Sequence, residues 1–320
     1  MNMNWKRLLE GALLSLVPLF SFVFFVYGSQ YLISSNKQAE MLLGSISGFP
    51  HNNGEVYTGG GDAIVNPGEQ SHEDEEESNQ MDINAESVIS IKSTLVGDDA
   101  VIFEQNKNLK LPIASLTKLM TAVIVLDNYN LSQKITVSEK ADSQLSMQTD
   151  FKQGDIFTIE QFLNVMLIES SNKAAYALSE KLGEEEFVSL MNKKAEDIGL
   201  KNTFFVDPTG LSSENISTAS DLAMIAEYIL KNYSKIAEIS TIQDYKLENF
   251  GKILNTNQLL AENSEIVLGK TGFTSYANGC LLLVLKNSED GSYLINVILG
   301  ADDRFWEMKK LINRQNNNSK

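Results

Sequence analysis

Residues 111–122 read LPIASLTKLMTA and set Ser115 and Lys118 three residues apart just as an apolar, helix-forming run begins. Residues at i and i+3 share one face of a helix, a turn apart. An amine is thereby held beside a hydroxyl at the positive end of a helix dipole, which makes a nucleophile and its base. The pair is not specific by itself, because Ser-x-x-Lys occurs three times, at Ser34/Lys37, Ser115/Lys118 and Ser170/Lys173. A helix start with a solvated lysine produces the same pattern. The surroundings of Ser115 have to decide.

Two histidines narrow the chemistry. His51 and His72 both precede residue 85, so no histidine is available between Ala85 and Lys320. A Ser-His-Asp hydrolase, a Cys-His protease and a histidine-ligated zinc enzyme are all excluded from that part. Any base there is Lys, Tyr, Asp or Glu, and neither a metal nor another cofactor is expected. Cys280 is the only cysteine, so no intrachain disulfide exists, and its apolar surroundings read as core.

The net charge of -16 argues against nucleic acid as a partner. Much of the excess is local: between His51 and Ser90 stand ten acidic residues and no Lys or Arg. That stretch is also rich in Ser, Asn and Gly, and cannot bury enough apolar surface to offset its ordering entropy. Residues 34–84 are therefore expected to be a flexible acidic linker. Ahead of it, Lys6 and Arg7 precede 11–33, which carry no charge at all. About 20 apolar residues cross a bilayer as a helix, and the apolar core of a cleaved signal is about 7–15. Residues 9–33 are expected to be a transmembrane anchor, with a signal sequence as the alternative. The positive flank keeps 1–8 as a cytoplasmic tail and places the rest outside the cell.

From residue 85 onward the pattern is that of a folded domain. SVISIKS (87–93) and AVIFEQN (100–106) read as a strand pair, and the Ser115 helix ends by Asp127-Asn128. Thr158 with Gln161 forms a capping box opening a helix. Residues 172–182 and 185–198 read as helices, each closed by a glycine, and Thr218 with Asp221 opens another. Three strand-like runs follow at 265–273, 279–286 and 292–300, then a final amphipathic helix. Strands at both ends with helices between predict an α+β fold. The early hairpin should lie beside the late meander in one antiparallel sheet, flanked by helices, with a mostly helical lobe inserted.

Three patterns now stand in order: Ser115-x-x-Lys118, Ser170-Ser171-Asn172 and Lys270-Thr271-Gly272, the last inside a predicted strand. Ser-x-x-Lys with a Ser-x-Asn-type motif and Lys-Thr-Gly marks penicillin-binding proteins and class A beta-lactamases. The blocks IASLTKLMTA, LIESSNKAAYALSE, DPTGLSSENISTASDLAMIA and GKTGFTSYANGCLLLVL together resemble the D-alanyl-D-alanine carboxypeptidase family of low-molecular-mass penicillin-binding proteins. The resemblance covers about residues 85–310 and implies a beta-lactamase/transpeptidase-like fold, so that 85–320 would be a serine DD-peptidase catalytic domain.

The resemblance also implies roles. Ser115 would attack the peptide carbonyl between two D-alanines, and Lys118 would take its proton. Ser170 would relay a proton toward the leaving group, and Asn172 would orient Lys118 and the substrate amide. Lys270 would hold the terminal carboxylate with Thr271, and Gly272 would let the strand approach the substrate. The backbone N–H groups of Ser115 and Phe273 would form the oxyanion hole. The substrate would be a peptidoglycan stem peptide ending in D-Ala-D-Ala, and beta-lactams would be covalent inhibitors. Chemistry independent of the resemblance agrees, since a serine hydroxyl needs an adjacent base and Lys118 stands within a helical turn. A buried lysine beside a second cation would titrate low enough to serve, and Lys270 is the candidate cation.

The chain departs from the family in places. Asp usually follows the Asn of the middle motif, whereas Lys173 stands here, which questions the electrostatics of that helix start. The β-rich second domain and carboxy-terminal membrane helix of many relatives are not expected, and the omega-loop Glu-x-x-Leu-Asn pattern of class A beta-lactamases is not found. The expected activity is removal of the terminal D-alanine. The alternatives are a DD-endopeptidase on cross-links and a penicillin-binding sensor module without turnover.

Overall fold

The computed structural model describes residues 82–97, 99–146 and 148–318. The expected tail (1–8), the anchor (9–33) and nearly all of the linker (34–84) lie outside them. In chain order, β1 (Ser87–Ser93) and β2 (Ala100–Gln105) are followed by helices α1 (Thr117–Asn128), α2 (Ile159–Ile168), α3 (Asn172–Glu180), α4 (Glu184–Ile198), α5 (Ala219–Asn232) and α6 (Ser234–Ser240). Strands β3 (Ile266–Thr274), β4 (Asn278–Lys286) and β5 (Tyr293–Ala301) and helix α7 (Arg304–Asn318) complete it.

Alternation of side chains along a strand explains why β4 is apolar at nearly every position. Cys280, Leu282 and Val284 join a large core shared with the helical lobe. Their neighbours Leu281, Leu283 and Leu285 join a smaller core with Met308 and Leu311 of α7. Each fully buried Leu of this kind contributes about 1.5–3 kcal/mol, so a strand covered on both faces needs no polar side. The sheet runs β2-β1-β5-β4-β3, and every neighbouring pair is antiparallel. The early hairpin does lie beside the late meander, as the pattern predicts. β3 ends the sheet, and its outer edge faces the segment carrying Ser115.

The helix signals largely locate the lobe. Thr158 and Gln161 form a full capping box on α2, and Thr218 accepts from the Asp221 N–H at the start of α5. Three details differ from the sequence expectation. Ser115 sits in a 3-10 turn (Ala114–Leu116) ahead of α1, because Ala114 takes a left-handed φ of 47°. Helix α3 stops at Glu180, and Gly183, with φ 94°, serves as the N-cap of α4. A two-stranded ladder, Asp244–Leu247 with Gly251–Leu254, and helix α6 lie where the sequence pattern placed no element. Among the described residues, no helix is long and apolar enough to cross a membrane.

Candidate active site

The 3-10 turn and α1 bring Lys118 Nζ to 2.9 Å from Ser115 Oγ. Lys118 is fully buried, and its Nζ also lies 2.7 Å from Asn172 Oδ1 and 2.6 Å from the Thr209 carbonyl oxygen. Those two oxygens can only accept. A neutral amine has two N–H bonds and one lone pair, so the two carbonyls take the hydrogens and leave the lone pair for the Ser115 hydroxyl. Burial lowers the Lys118 pKa to about 7, and the negative charge of Asp207 works in the opposite direction. A lysine with that value exchanges a proton readily near neutrality.

Thr209 is placed by a loop that the motif pattern does not single out. Asp207 Oδ1 accepts from the Thr209 and Gly210 N–H groups and from Thr209 Oγ1, while Oδ2 accepts from the Ser212 N–H. Asn215 accepts from the Val206 and Asp207 N–H groups and donates to Thr117 Oγ1. Gly210 adopts φ 84°, and a Cβ there would meet the Ala114 carbonyl oxygen at 1.9 Å. This side of the Ser115 turn therefore closes only over a glycine.

Gly272 closes the other side. A Cβ on it would lie 3.1 Å from the Ile113 oxygen and Ala114 Cβ and 3.2 Å from the Ser115 nitrogen. Gly272→Ala is accordingly expected to displace the Ser115 N–H by a few tenths of an ångström and to slow acylation about 10- to 100-fold, with little change in melting temperature. Stopped-flow acylation by a chromogenic beta-lactam measures this, and a rate within twofold of wild type contradicts it.

Lys270, two residues before Gly272 on β3 and almost fully buried, donates to Ser170 Oγ at 2.8 Å and to the Thr271 carbonyl at 2.9 Å. Thr271 Oγ1 lies 2.6 Å from Thr256 Oγ1. Burial holds the Lys270 pKa well below its ordinary value, and the charges of Lys118 and Arg304 lower it further. The sequence expectation put the second-cation effect on Lys118. Burial is the largest cause at both lysines. Ser170 has φ 68°, a left-handed conformation that costs a non-glycine residue about 1–3 kcal/mol and is held by its neighbours. Phe273 pairs with Gly279 and is about half exposed at the sheet edge.

Ser115, Lys118, Ser170, Asn172, Lys270, Thr271 and Gly272 thus come together from four separate elements. Three groups escape the sequence reading. Thr209 acts through a backbone carbonyl, which leaves no residue-type signal. Glu169 and Arg304 sit outside the three short motifs. Arg304 Nε is buried without a hydrogen-bond partner among the described residues.

A family profile described as D-alanyl-D-alanine carboxypeptidase matches residues 73–303. The chain belongs to the D-alanyl-D-alanine carboxypeptidase family. It is 34% identical over 212 residues to D-alanyl-D-alanine carboxypeptidase DacF of Bacillus subtilis, a match covering 63% of this chain and 54% of that one. The chain thus spans about half the length of that family member. A D-alanyl-D-alanine endopeptidase of Pseudomonas aeruginosa is 35% identical over 225 residues, covering 67% of this chain and 72% of the other. Penicillin-binding protein D2 of Listeria monocytogenes, solved in a cefotaxime-bound form, superposes with a TM-score of 0.65 at 26% identity, covering 72% of this chain and 96% of that one. The fold is that of the penicillin-binding proteins, an α+β fold built on an antiparallel sheet.

Proposed function

We propose that the chain is a serine-type D-Ala-D-Ala carboxypeptidase that removes the terminal D-alanine from peptidoglycan stem peptides through an acyl-enzyme on Ser115. The observation that carries this reading is Lys118 Nζ, held 2.9 Å from Ser115 Oγ while two carbonyl oxygens occupy its hydrogens. In the forward step Lys118 accepts the Ser115 proton, and Ser115 Oγ bonds to the carbonyl carbon between the two D-alanines. The carbonyl π-electrons move to oxygen, opposite the N–H groups of Ser115 and Phe273. Collapse breaks the C–N bond, and the departing amine takes up, through Ser170, the proton that Lys118 accepted, so that Lys118 is neutral again while Ser170 stays hydrogen-bonded to Lys270. Water then gives a proton to Lys118 as its oxygen bonds to the ester carbonyl carbon, and breaking the ester C–O bond returns that proton from Lys118 to Ser115 Oγ. Lys270 and Thr271, with Arg304 adding positive potential, are the groups for the substrate's free carboxylate, and charging Lys270 against that carboxylate offsets its burial. Asn172 orients Lys118 and the substrate amide. The beta-lactam bound by the Listeria structure supports beta-lactams as acylating inhibitors of this chain too.

Relatives with endopeptidase names support the second reading, cleavage of cross-links by the same groups. Incubation of the purified chain with a pentapeptide stem and with a cross-linked dimer separates the two. Release of free D-alanine from the pentapeptide is expected; cleavage of the dimer alone favours the endopeptidase, and acylation by penicillin with neither cleavage favours a sensor module.

The charge pattern of the amino-terminal sequence supports a single-pass protein of the cell membrane with its catalytic domain, residues 85–320, extracytoplasmic on the acidic linker. The full chain is expected to stay with membranes through a high-salt wash at a mass that includes Met1 or Asn2. A soluble product beginning near Ser29 identifies a cleaved signal instead.

A further inference from the structure

Lys173 stands where the family pattern usually has Asp, and it is nearly fully buried. Its Nζ donates to Asp142 Oδ1 at 2.7 Å, to Asp150 Oδ1 at 2.7 Å and to the Phe151 carbonyl at 2.9 Å. Burial pulls its pKa down, but the two aspartates more than offset that, and the net direction is up. One ammonium thus ties the chain at 142 to the chain at 150–151, and Leu145 lies between those ties. The Leu145 carbonyl accepts from Asn172 Nδ2 at 3.1 Å, the opposite end of the amide whose oxygen accepts from Lys118. Glu169, on the other side of the Ser170–Asn172 turn, adds a second tie: both of its oxygens accept from the Thr149 N–H, at 2.9 and 3.2 Å.

Taking Ser115 as nucleophile and Lys118 as base, we infer that Lys173 is a positioning residue for acylation, closing the backbone around Leu145 so that its carbonyl holds the Asn172 amide with oxygen toward Lys118. An amide has two orientations, and the reversed one aims N–H donors at the lysine. That would leave Lys118 without an acceptor for one hydrogen and free its lone pair to turn from Ser115. The acidic partners Asp142 and Asp150 also account for a lysine at this helix start. They make it a fixed strut with three acceptors instead of a stray charge.

The test is a double-mutant cycle on beta-lactam acylation in the full chain. Lys173→Ala is expected to slow acylation about 10- to 100-fold in the wild-type background, the range that misplacement of a catalytic group by roughly an ångström produces. In an Asn172→Ala background, where no amide is left to orient, the same substitution should change the residual rate by less than about twofold. Lys173→Arg should recover most of the wild-type rate. Asp150→Asn removes one exposed partner without opening the core, and should give a smaller loss that also vanishes without Asn172. Equal losses in both backgrounds, or no loss from either Lys173→Ala or Asp150→Asn in chains that melt like wild type, overturn the inference. If Lys173→Ala does not fold, the Asp150→Asn cycle decides. A wild-type chain that is never acylated overturns the proposed function itself, and the positioning role with it.

Discussion

Ser115→Ala is expected to abolish D-alanine release and all covalent labelling by a fluorescent penicillin, while leaving the fold intact. Ser115 Oγ shares one hydrogen bond, 2.9 Å long, with Lys118 Nζ and Ser115 is only half buried, so its loss removes little packing. Removing the nucleophile of a serine hydrolase costs on the order of 10⁶ in turnover, and what survives comes from transition-state binding alone. A loss of at least ~10⁴-fold is the expected result here. Labelling that persists in Ser115→Ala, or that maps to Ser170, contradicts the assignment.

Lys118→Arg separates charge from proton transfer. The guanidinium keeps a positive charge at the site but cannot give up its proton at accessible pH. General-base assistance contributes about 10²–10⁴-fold, so acylation is expected to fall by at least ~10²-fold. The pH dependence of the wild type has a definite sign. With Lys118 as the proposed base, the neutral amine is the active form, and burial lowers its pKa to about 7. The acylation rate should therefore rise with pH through about 7 and level off above it, falling about tenfold per unit on the acid side. The limb cannot be a histidine's, since both histidines precede residue 85. A rate within about tenfold of wild type in Lys118→Arg, or a limb near 10, would assign the base elsewhere.

Much of this architecture was legible because it follows from local rules. The continuous apolar run in β4 requires cover on both faces, and the structure supplies it with the lobe on one side and α7 on the other. Capping residues at Thr158 and Thr218 announce α2 and α5 because each side chain satisfies an N–H that the helix leaves open. The ladder 244–247 with 251–254 was not legible, since DYKL alternates over only four residues, GKIL does not alternate, and the pair is held by Leu247 and Ile253 in the core shared with the lobe. Among the site groups, side chains chosen for their chemistry were visible as motifs. Thr209 was not, because any residue offers the same carbonyl; the nearest trace is Asp207 and Gly210, whose types suit a tight loop. The unusual Lys173 was visible as a departure, but its purpose depends on Asp142 and Asp150, some thirty and twenty residues earlier, and only the fold joins them.

The central claim, that Ser115 becomes covalently acylated with Lys118 as its base, is tested most directly by trapping the adduct. The chain is mixed with benzylpenicillin at pH 8, quenched with acid, and analysed by intact mass and peptide mapping. The account predicts one added penicilloyl group per chain, carried by the peptide that contains Ser115. No adduct, or an adduct on any other residue, contradicts it.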